Sequence, residues 1–185
     1  MKTFIASGFG AGILWKTFFG EKKGGGSFAS LVFVGIIYFL QLEIIWLLII
    51  FISLTIIYFI SVDDISASND PSWITLDEIV GMSFASLASP SELLPLLTGF
   101  IIFRASDILK TPKIVAQMEE IPGKKGVLYD DLAAGGFGLL GAVIVNKIMN
   151  STETEKRILA RPKAKTNWIF EQYWLIHPET GQCFK

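Results

Sequence analysis

The chain of 185 residues is too apolar for an ordinary soluble domain, because 51% of its residues are hydrophobic and its mean hydropathy is +0.52. Its formal net charge of -1 excludes a global attraction to nucleic acid. The single cysteine, Cys183, excludes an intrachain disulfide and a thiolate metal site. We expect one compact membrane domain over residues 1–149 and a polar, aromatic tail of unassigned role over residues 150–185.

The first fifteen residues combine Lys2 with apolar and small residues, a composition shared by short signal peptides. The glycine-rich stretch Gly8–Gly12 is poorly suited to the continuous apolar helix that a signal peptide requires. We therefore keep this segment in the membrane domain, with a signal peptide as the alternative.

Residues 28–62 form one apolar run that is interrupted only by Gln41-Leu42-Glu43. A single helix of that length would far exceed a hydrocarbon core of about 30 Å. The sequence therefore predicts a helical hairpin that turns near Glu43. Its second arm, residues 44–62, has no charged residue and is expected to cross the membrane, whereas the first arm, residues 28–42, is barely long enough.

A second apolar block runs from Ile74 to Leu109 and is broken by Ser89-Pro90-Ser91. This pattern predicts a second hairpin, which returns Asp107 to the side where Asp77 begins. Asp70-Pro71 has the composition of an N-cap followed by proline at the first helical position. We therefore expect the first arm of this hairpin to begin there.

Residues 110–125 are lysine-rich and contain prolines and a glycine, which predicts a loop. A last apolar helix is predicted from Leu128 to Met149. It carries a stripe of small residues that permits close helix packing in lipid: Ala134, Gly138 and Ala142. Asp130 extends this stripe and should face the interior. The predicted fold class is therefore all-α, a polytopic membrane helical bundle of two helical hairpins and a final helix.

Several acidic residues stand at or beside the ends of these apolar segments: Asp77, Asp107, Asp130 and Asp131. A carboxylate at a membrane costs several kcal/mol unless it is paired or bound to metal, so these residues indicate a functional site. The only histidine, His177, lies in the tail, which excludes a histidine cluster for zinc. Oxygen ligands alone favour Mg²⁺ or a similar hard cation.

Arg104, Asp107 and Lys110 follow one another at spacings of three, so they share one broad helix face. A metal-binding carboxylate flanked by two cations would suit phosphoryl transfer, in which stabilising the charge of the phosphoryl oxygens is most of the task. The alternative is a structural ion pair between Arg104 and Asp107, with Lys110 at the membrane interface. The acidic pairs Asp77-Glu78 and Asp130-Asp131 likewise have an alternative as solvated helix N-termini.

Four stretches, in this order, resemble the motifs of the phosphatidylglycerophosphatase A family. They are Ser7–Gly12 with Gly26-Ser27; Asp70-Pro71-Ser72 with Asp77–Gly81; Phe103-Arg104 with Asp107–Lys110 and Pro112; and Gly126–Asp131 with Ala133 and Gly135. The resemblance covers residues 5–149. The chain departs from the family pattern at Phe18–Gly25, which replaces a proline-glycine-threonine turn, at Lys124-Lys125, and in its longer tail.

The resemblance implies a Mg²⁺-dependent phosphatase of the bacterial plasma membrane that converts phosphatidylglycerophosphate to phosphatidylglycerol. The acidic residues that it implies as the catalytic set are Asp77, Glu78, Asp107, Asp130 and Asp131. Arg104 and Lys110 are expected to bind phosphate. Mg²⁺ is expected on some of Asp77, Asp107, Asp130 and Asp131, and the expected partner is a phospholipid in the bilayer rather than nucleic acid.

Two other functions stay open on the sequence: a phosphatase of another phosphate ester, and a non-enzymatic carrier of divalent cations. Arg104 and Lys110 beside the carboxylates disfavour a cation path. The lysines at 16, 22, 23 and in residues 110–125 place the active face in the cytoplasm by the positive-inside rule. The basic residues after Met149 oppose this topology if the last helix crosses completely. The nucleophile, the number of metal ions and the oligomeric state are left open.

Overall fold

The computed structural model describes residues 1–20, 22, 24–64, 73–88 and 92–160, with the backbone alone for 155–160. Every regular element among these residues is helical, which confirms the predicted all-α class. The elements are α1 (Lys2–Ala6), α2 (Ala11–Phe19), α3 (Gly25–Leu40), α4 (Ile44–Ser61), α5 (Leu76–Ala85), a 3-10 turn (Ser86–Ala88), α6 (Leu93–Leu109), α7 (Lys113–Glu119) and α8 (Lys124–Ala160). The chain divides into two compact units, Met1–Ile148 and Met149–Lys185.

The first predicted hairpin is confirmed as α3 and α4, joined by a short turn in which Gln41 adopts a left-handed conformation with φ of 48°. Although α4 is rich in β-branched residues, a helix satisfies all its backbone hydrogen bonds within one segment, as an apolar environment requires. One face of α4 stays exposed and carries large apolar side chains, among them Ile45, Trp46, Ile49, Ile52, Ile56 and Ile60.

The helix α5 is short and central. It packs against α3, α4 and α6, and most of its ten residues are buried. Its start was predicted at Asp70-Pro71, but Trp73–Thr75 are not helical and the helix begins at Leu76. Asp70-Pro71 and the predicted break at Ser89-Pro90-Ser91 lie outside the described residues. A buried helix of this length therefore replaces the expected long arm.

Close backbone approaches hold α8 against α5 and α6. A Cβ atom at Gly135 would lie 2.5 Å from the carbonyl oxygen of Gly81, and one at Gly138 would lie 2.7 Å from that of Gly99. The predicted stripe is confirmed, since each of its members is buried: Asp130, Ala134, Gly138 and Ala142. The interior position of Asp130 therefore follows from the same face that packs the helices.

Two predicted boundaries at the C-terminal side were wrong. The presumed loop of residues 110–125 contains α7, with Pro112 as its N-cap, because proline fits the start of a helix as well as its end. The last helix begins at Lys124 rather than Leu128 and continues to Ala160 rather than ending at Met149. Residues 150–160 include no glycine or proline, so nothing in them ends a helix. The aromatic tail after residue 160 lies outside the described residues.

Two helices in the described part of the chain are long and apolar enough to cross a membrane, Ile44–Ser61 and Lys124–Thr154. In each of them only 22% of the apolar window is buried inside the protein. Most residues of these two windows are therefore exposed or half-buried and not part of the protein core.

Candidate active site

The topology brings five helix ends to one cavity of about 640 Å³. These are the N-terminal ends of α3, α5 and α8 and the C-terminal ends of α6 and α7. The cavity is lined by every residue that the sequence analysis assigned to the site: Asp77, Glu78, Arg104, Asp107, Lys110, Asp130 and Asp131. Side chains separated by more than fifty positions in the sequence thus share one space.

Three carboxylates form a compact group on one side of this cavity. Asp77, Glu78 and Asp131 each place one carboxylate oxygen within 4.8 Å of the others. Asp77 is 6% and Asp131 4% exposed. One oxygen in each residue, Oδ1 of Asp77, Oε2 of Glu78 and Oδ1 of Asp131, is buried without a hydrogen-bond partner among the described residues. Buried carboxylates without partners are costly, and a cation shared among them would remove that cost.

This acidic triad (Asp77, Glu78 and Asp131) fits a hard divalent cation, because it offers oxygen ligands that converge on one point. The sequence analysis had placed Glu78 in the catalytic set but not among the metal ligands. Neighbours on a helix diverge by about 100°, yet the longer side chain of Glu78 reaches the same point as that of Asp77. The extra methylene of a glutamate is the sequence signal for this arrangement.

Asp107 and Asp130 also line the cavity, where they pair with cations. Arg104 Nη1 lies 2.8 Å from Asp107 Oδ2, and Lys110 Nζ lies 3.2 Å from Asp107 Oδ1. Lys110 also forms an ion pair with Asp130. The structural ion pair considered as an alternative for Arg104 and Asp107 is therefore present, and it lies in the wall of the cavity.

Lys110 is a stable cation in this setting. Burial by itself would lower the pKa of Lys110, but the hydrogen bond to Asp130 and the charges of Asp130 and Asp107 outweigh burial and raise the pKa above its ordinary value. The ammonium group is therefore retained at neutral pH. It can attract an anion but is not a proton acceptor.

The N-terminal end of α3 supplies the remaining wall. Ser27 Oγ accepts a hydrogen bond of 3.1 Å from Arg104 Nε, which fixes the orientation of the guanidinium. A Cβ atom at Gly26 would overlap the carboxylate of Glu78, so a side chain there would displace that carboxylate. The sequence assigns no role to Gly26-Ser27 beyond the family motif, but the run of glycines before an apolar helix is the signal for this close approach.

The first glycine-rich stretch, Ser7–Gly12, lies outside the lining of this cavity and supports α5 from behind. Gly8 has φ of 62°, and a Cβ atom there would lie 2.7 Å from Thr75 Oγ1. A Cβ atom at Gly12 would overlap the backbone of Trp73. The amide of Thr75 donates to the carbonyl oxygen of Ala6 at 3.1 Å. These contacts position the residues that lead into Asp77.

Comparison with known proteins agrees with this geometry. The phosphatidylglycerophosphatase A family matches residues 4–146, which include the whole cavity. The chain belongs to the phosphatidylglycerophosphatase A family. The family implies a phosphatase that acts on lipid phosphates and is associated with membranes.

A related protein of Bacteroides thetaiotaomicron carries the provisional name phosphatidylinositol-3-phosphatase. It is 27% identical over 147 residues, which cover 76% of this chain and 90% of the relative. No solved structure shows significant similarity to the chain. The family assignment therefore rests on sequence similarity, and the matched residues include those that line the cavity.

Proposed function

We propose that this protein is a Mg²⁺-dependent phosphatase that hydrolyses phosphatidylglycerophosphate to phosphatidylglycerol and phosphate. The observation that carries the proposal is the acidic triad of Asp77, Glu78 and Asp131, which shares one cavity with Arg104 and Lys110. Oxygen ligands for a metal ion lie beside two positively charged side chains, and this combination suits a phosphate monoester.

The charged residues of the cavity fall into three groups with different tasks in this proposal. The acidic triad holds Mg²⁺, which when bound polarises the phosphoryl group and neutralises charge on the departing oxygen. Arg104 and Lys110 bind the non-bridging phosphate oxygens, with the guanidinium offering two parallel donors. Asp107 and Asp130 keep these two cations oriented, which lowers the reorganisation that the reaction requires.

The membrane setting supports a lipid substrate. We infer a multi-pass protein of the bacterial plasma membrane, with the hairpin α3–α4, α6 and α8 in the bilayer and the cavity at its cytoplasmic surface. Lys110, Lys113, Lys124 and Lys125 lie at or near the cavity end of these helices, which agrees with the positive-inside rule. A phosphorylated head group can then enter the cavity while its acyl chains stay in lipid.

A second candidate substrate is phosphatidylinositol 3-phosphate, which the provisional name of the Bacteroides thetaiotaomicron relative suggests. Both substrates are lipid phosphomonoesters, and the acidic triad and the two cations suit either of them. They differ in the group that leaves, a glycerol in one case and an inositol in the other.

The test is phosphate release by the purified protein in mixed micelles. The substrates are phosphatidylglycerophosphate, phosphatidylinositol 3-phosphate and phosphatidic acid, each with Mg²⁺ and with a chelator. The proposal expects the highest kcat/KM on phosphatidylglycerophosphate and loss of turnover with the chelator. A preference for phosphatidylinositol 3-phosphate would select the second candidate. No release from any lipid, together with cation uptake into vesicles, would support the carrier instead.

A further inference from the structure

A second cavity of about 550 Å³ lies on another face of α3 and is lined by apolar residues alone. Its walls include Phe28, Val32 and Ile36 of α3, Ile50 and Leu54 of α4, and Ile79 of α5. Val32 is 42% and Ile36 48% exposed, so the cavity is an open groove and not a closed core void.

The groove and the candidate active site are lined by neighbouring residues on two elements. On α3, residues 24–27 line the active-site cavity, and the groove begins with the next residue, Phe28. On α5, Glu78 lines the active-site cavity and the following residue, Ile79, lines the groove. From Phe28 to Ile36 the groove follows α3 for about 12 Å, at about 1.5 Å per residue.

One end of the groove is closed by the turn that contains Gly8, Phe9 and Gly10. All three residues have positive φ angles, of 62°, 56° and 97°. This conformation favours glycine, so the backbone itself forms the surface at two of the three positions. At Gly8 the turn packs directly against α5, because a Cβ atom there would lie 2.5 Å from Cδ1 of Ile79.

We propose that this groove binds an acyl chain of the lipid whose phosphate enters the active-site cavity. The inference rests on the proposed function, and its further content is the path of the lipid tail. The terminal phosphate lies between the acidic triad and Arg104, and the head-group glycerol and the phosphodiester pass Ser27. The diacylglycerol backbone lies near Phe28, and one acyl chain follows α3 toward Ile36. An apolar, open groove whose lining begins next to that of a charged cavity on two helices matches the two parts of one phospholipid.

The first test narrows the groove. Val32→Trp fills its wall, whereas Leu31→Trp adds the same bulk to a neighbouring residue of α3 that is 50% exposed and lies outside the groove. We expect Val32→Trp to lower kcat/KM about tenfold or more for a long-acyl lipid phosphate and to leave kcat/KM for a short-acyl analogue with the same head group within about twofold. Leu31→Trp should leave both values within about twofold.

If Val32→Trp lowered kcat/KM equally for the long-acyl and the short-acyl substrate, with an unchanged melting temperature, the proposal would be overturned. So would equal effects of the two tryptophan variants on the long-acyl substrate. Because the comparison uses whichever lipid phosphate the wild-type protein hydrolyses best, a different head-group preference would contradict the proposed substrate and leave this test valid.

The second test measures binding without turnover. The protein, in chelator and detergent micelles, is irradiated with a phosphatidylglycerophosphate that carries a photoreactive group in one acyl chain, and the crosslinked residues are mapped by mass spectrometry. At Val32 and Ile36 we expect about threefold or more labelling by this lipid than by a phosphatidylcholine with the same photoreactive acyl chain. The reason is that the anionic head group is attracted to Arg104 and Lys110, whereas that of phosphatidylcholine is not. Equal labelling by both lipids would show that bulk lipid occupies the groove and would overturn the proposal.

Discussion

The ion pair between Lys110 and Asp130 joins the C-terminal end of α6 to the first turns of α8. Lys110 also contacts Asp107, and Asp107 contacts Arg104, so a chain of alternating charges crosses one wall of the cavity. The two cations are held by carboxylates on both helices. Their positions therefore depend on α6 and α8 keeping one relative placement.

Asp130→Asn should lower kcat for phosphate release about 100-fold or more, because an amide holds Lys110 far less strongly than a carboxylate and the ammonium group loses its fixed position. The volume of the side chain is nearly unchanged, so the helical content by circular dichroism should match that of the wild-type protein. A wild-type kcat in Asp130→Asn would show that Asp130 has no role in positioning Lys110 for the reaction.

Glu119→Gln is the matched comparison on the same lysine. Glu119 lies 3.8 Å from Lys110 and its side chain is 55% exposed, so solvent screens the interaction. We expect kcat and KM to stay within about twofold of the wild-type values. A loss as large as that of Asp130→Asn would mean that all partners of Lys110 matter equally, which the difference in burial argues against.

Asp131→Asn should weaken metal binding by at least about tenfold, because it removes one charged ligand from the acidic triad. Mn²⁺ is a suitable probe since it accepts the same oxygen ligands as Mg²⁺ and is detected directly by electron paramagnetic resonance. The titration uses protein without substrate, so it is independent of turnover.

Asp63→Asn provides the control for this titration, as Asp63 is exposed and lies outside the lining of the cavity. Its Mn²⁺ affinity should equal that of the wild-type protein. Equal affinity in Asp131→Asn and the wild-type protein would place the cation elsewhere and would remove the main support for the proposed function.

The sequence was sufficient to predict the first hairpin, the stripe on the last helix and seven of the residues that line the cavity. The reason is physical: hydropathy and small-residue spacing are properties of a single segment, as in α4 and at Ala134 and Ala142. Acidic residues at the ends of apolar segments stand out for the same reason, and the hairpin topology explains why Asp77 and Asp107 meet.

The placement of α5 could not be predicted from the same pattern, because a short buried helix and the arm of a transmembrane hairpin are both apolar. The glycines of residues 8–12 look like helix breakers in the sequence, and only their contacts with Trp73 and Thr75 show that they support α5. Likewise, the sequence predicts all the acidic site residues as one set. Only the coordinates separate the acidic triad from Asp107 and Asp130, which pair with Arg104 and Lys110.

Gly81→Ala should destabilise the protein by about 1–3 kcal/mol, because a Cβ atom there would lie 2.8 Å from both the carbonyl oxygen of Asp131 and the ring of Phe103. The measurement is the melting temperature in detergent. Gly35→Ala is the control: apart from its own helix, no atom of the described residues lies within 4 Å of its Cβ position. Alanine also favours a helix over glycine by about 1 kcal/mol. Its melting temperature should stay equal or rise, and a fall in Gly35→Ala as large as that in Gly81→Ala would contradict the close packing of α5 on α8.

Arg104→Lys should lower kcat/KM for phosphate release about 10- to 100-fold while retaining the charge. Lysine lacks the fixed, planar donors of a guanidinium, so it cannot donate to Ser27 and to a phosphate group at the same time.

Ser27→Ala tests the positioning of Arg104 alone. It should lower kcat/KM about 3- to 10-fold, the effect of one typical hydrogen bond of about 1 kcal/mol, because Asp107 still holds the guanidinium. Ser27→Thr keeps the hydroxyl and should restore most of the activity. Equal losses of kcat/KM in Ser27→Ala and Ser27→Thr would show that the space at Ser27, and not its hydroxyl group, determines the rate. Wild-type kinetics in Arg104→Lys would show that the guanidinium serves only the ion pair with Asp107.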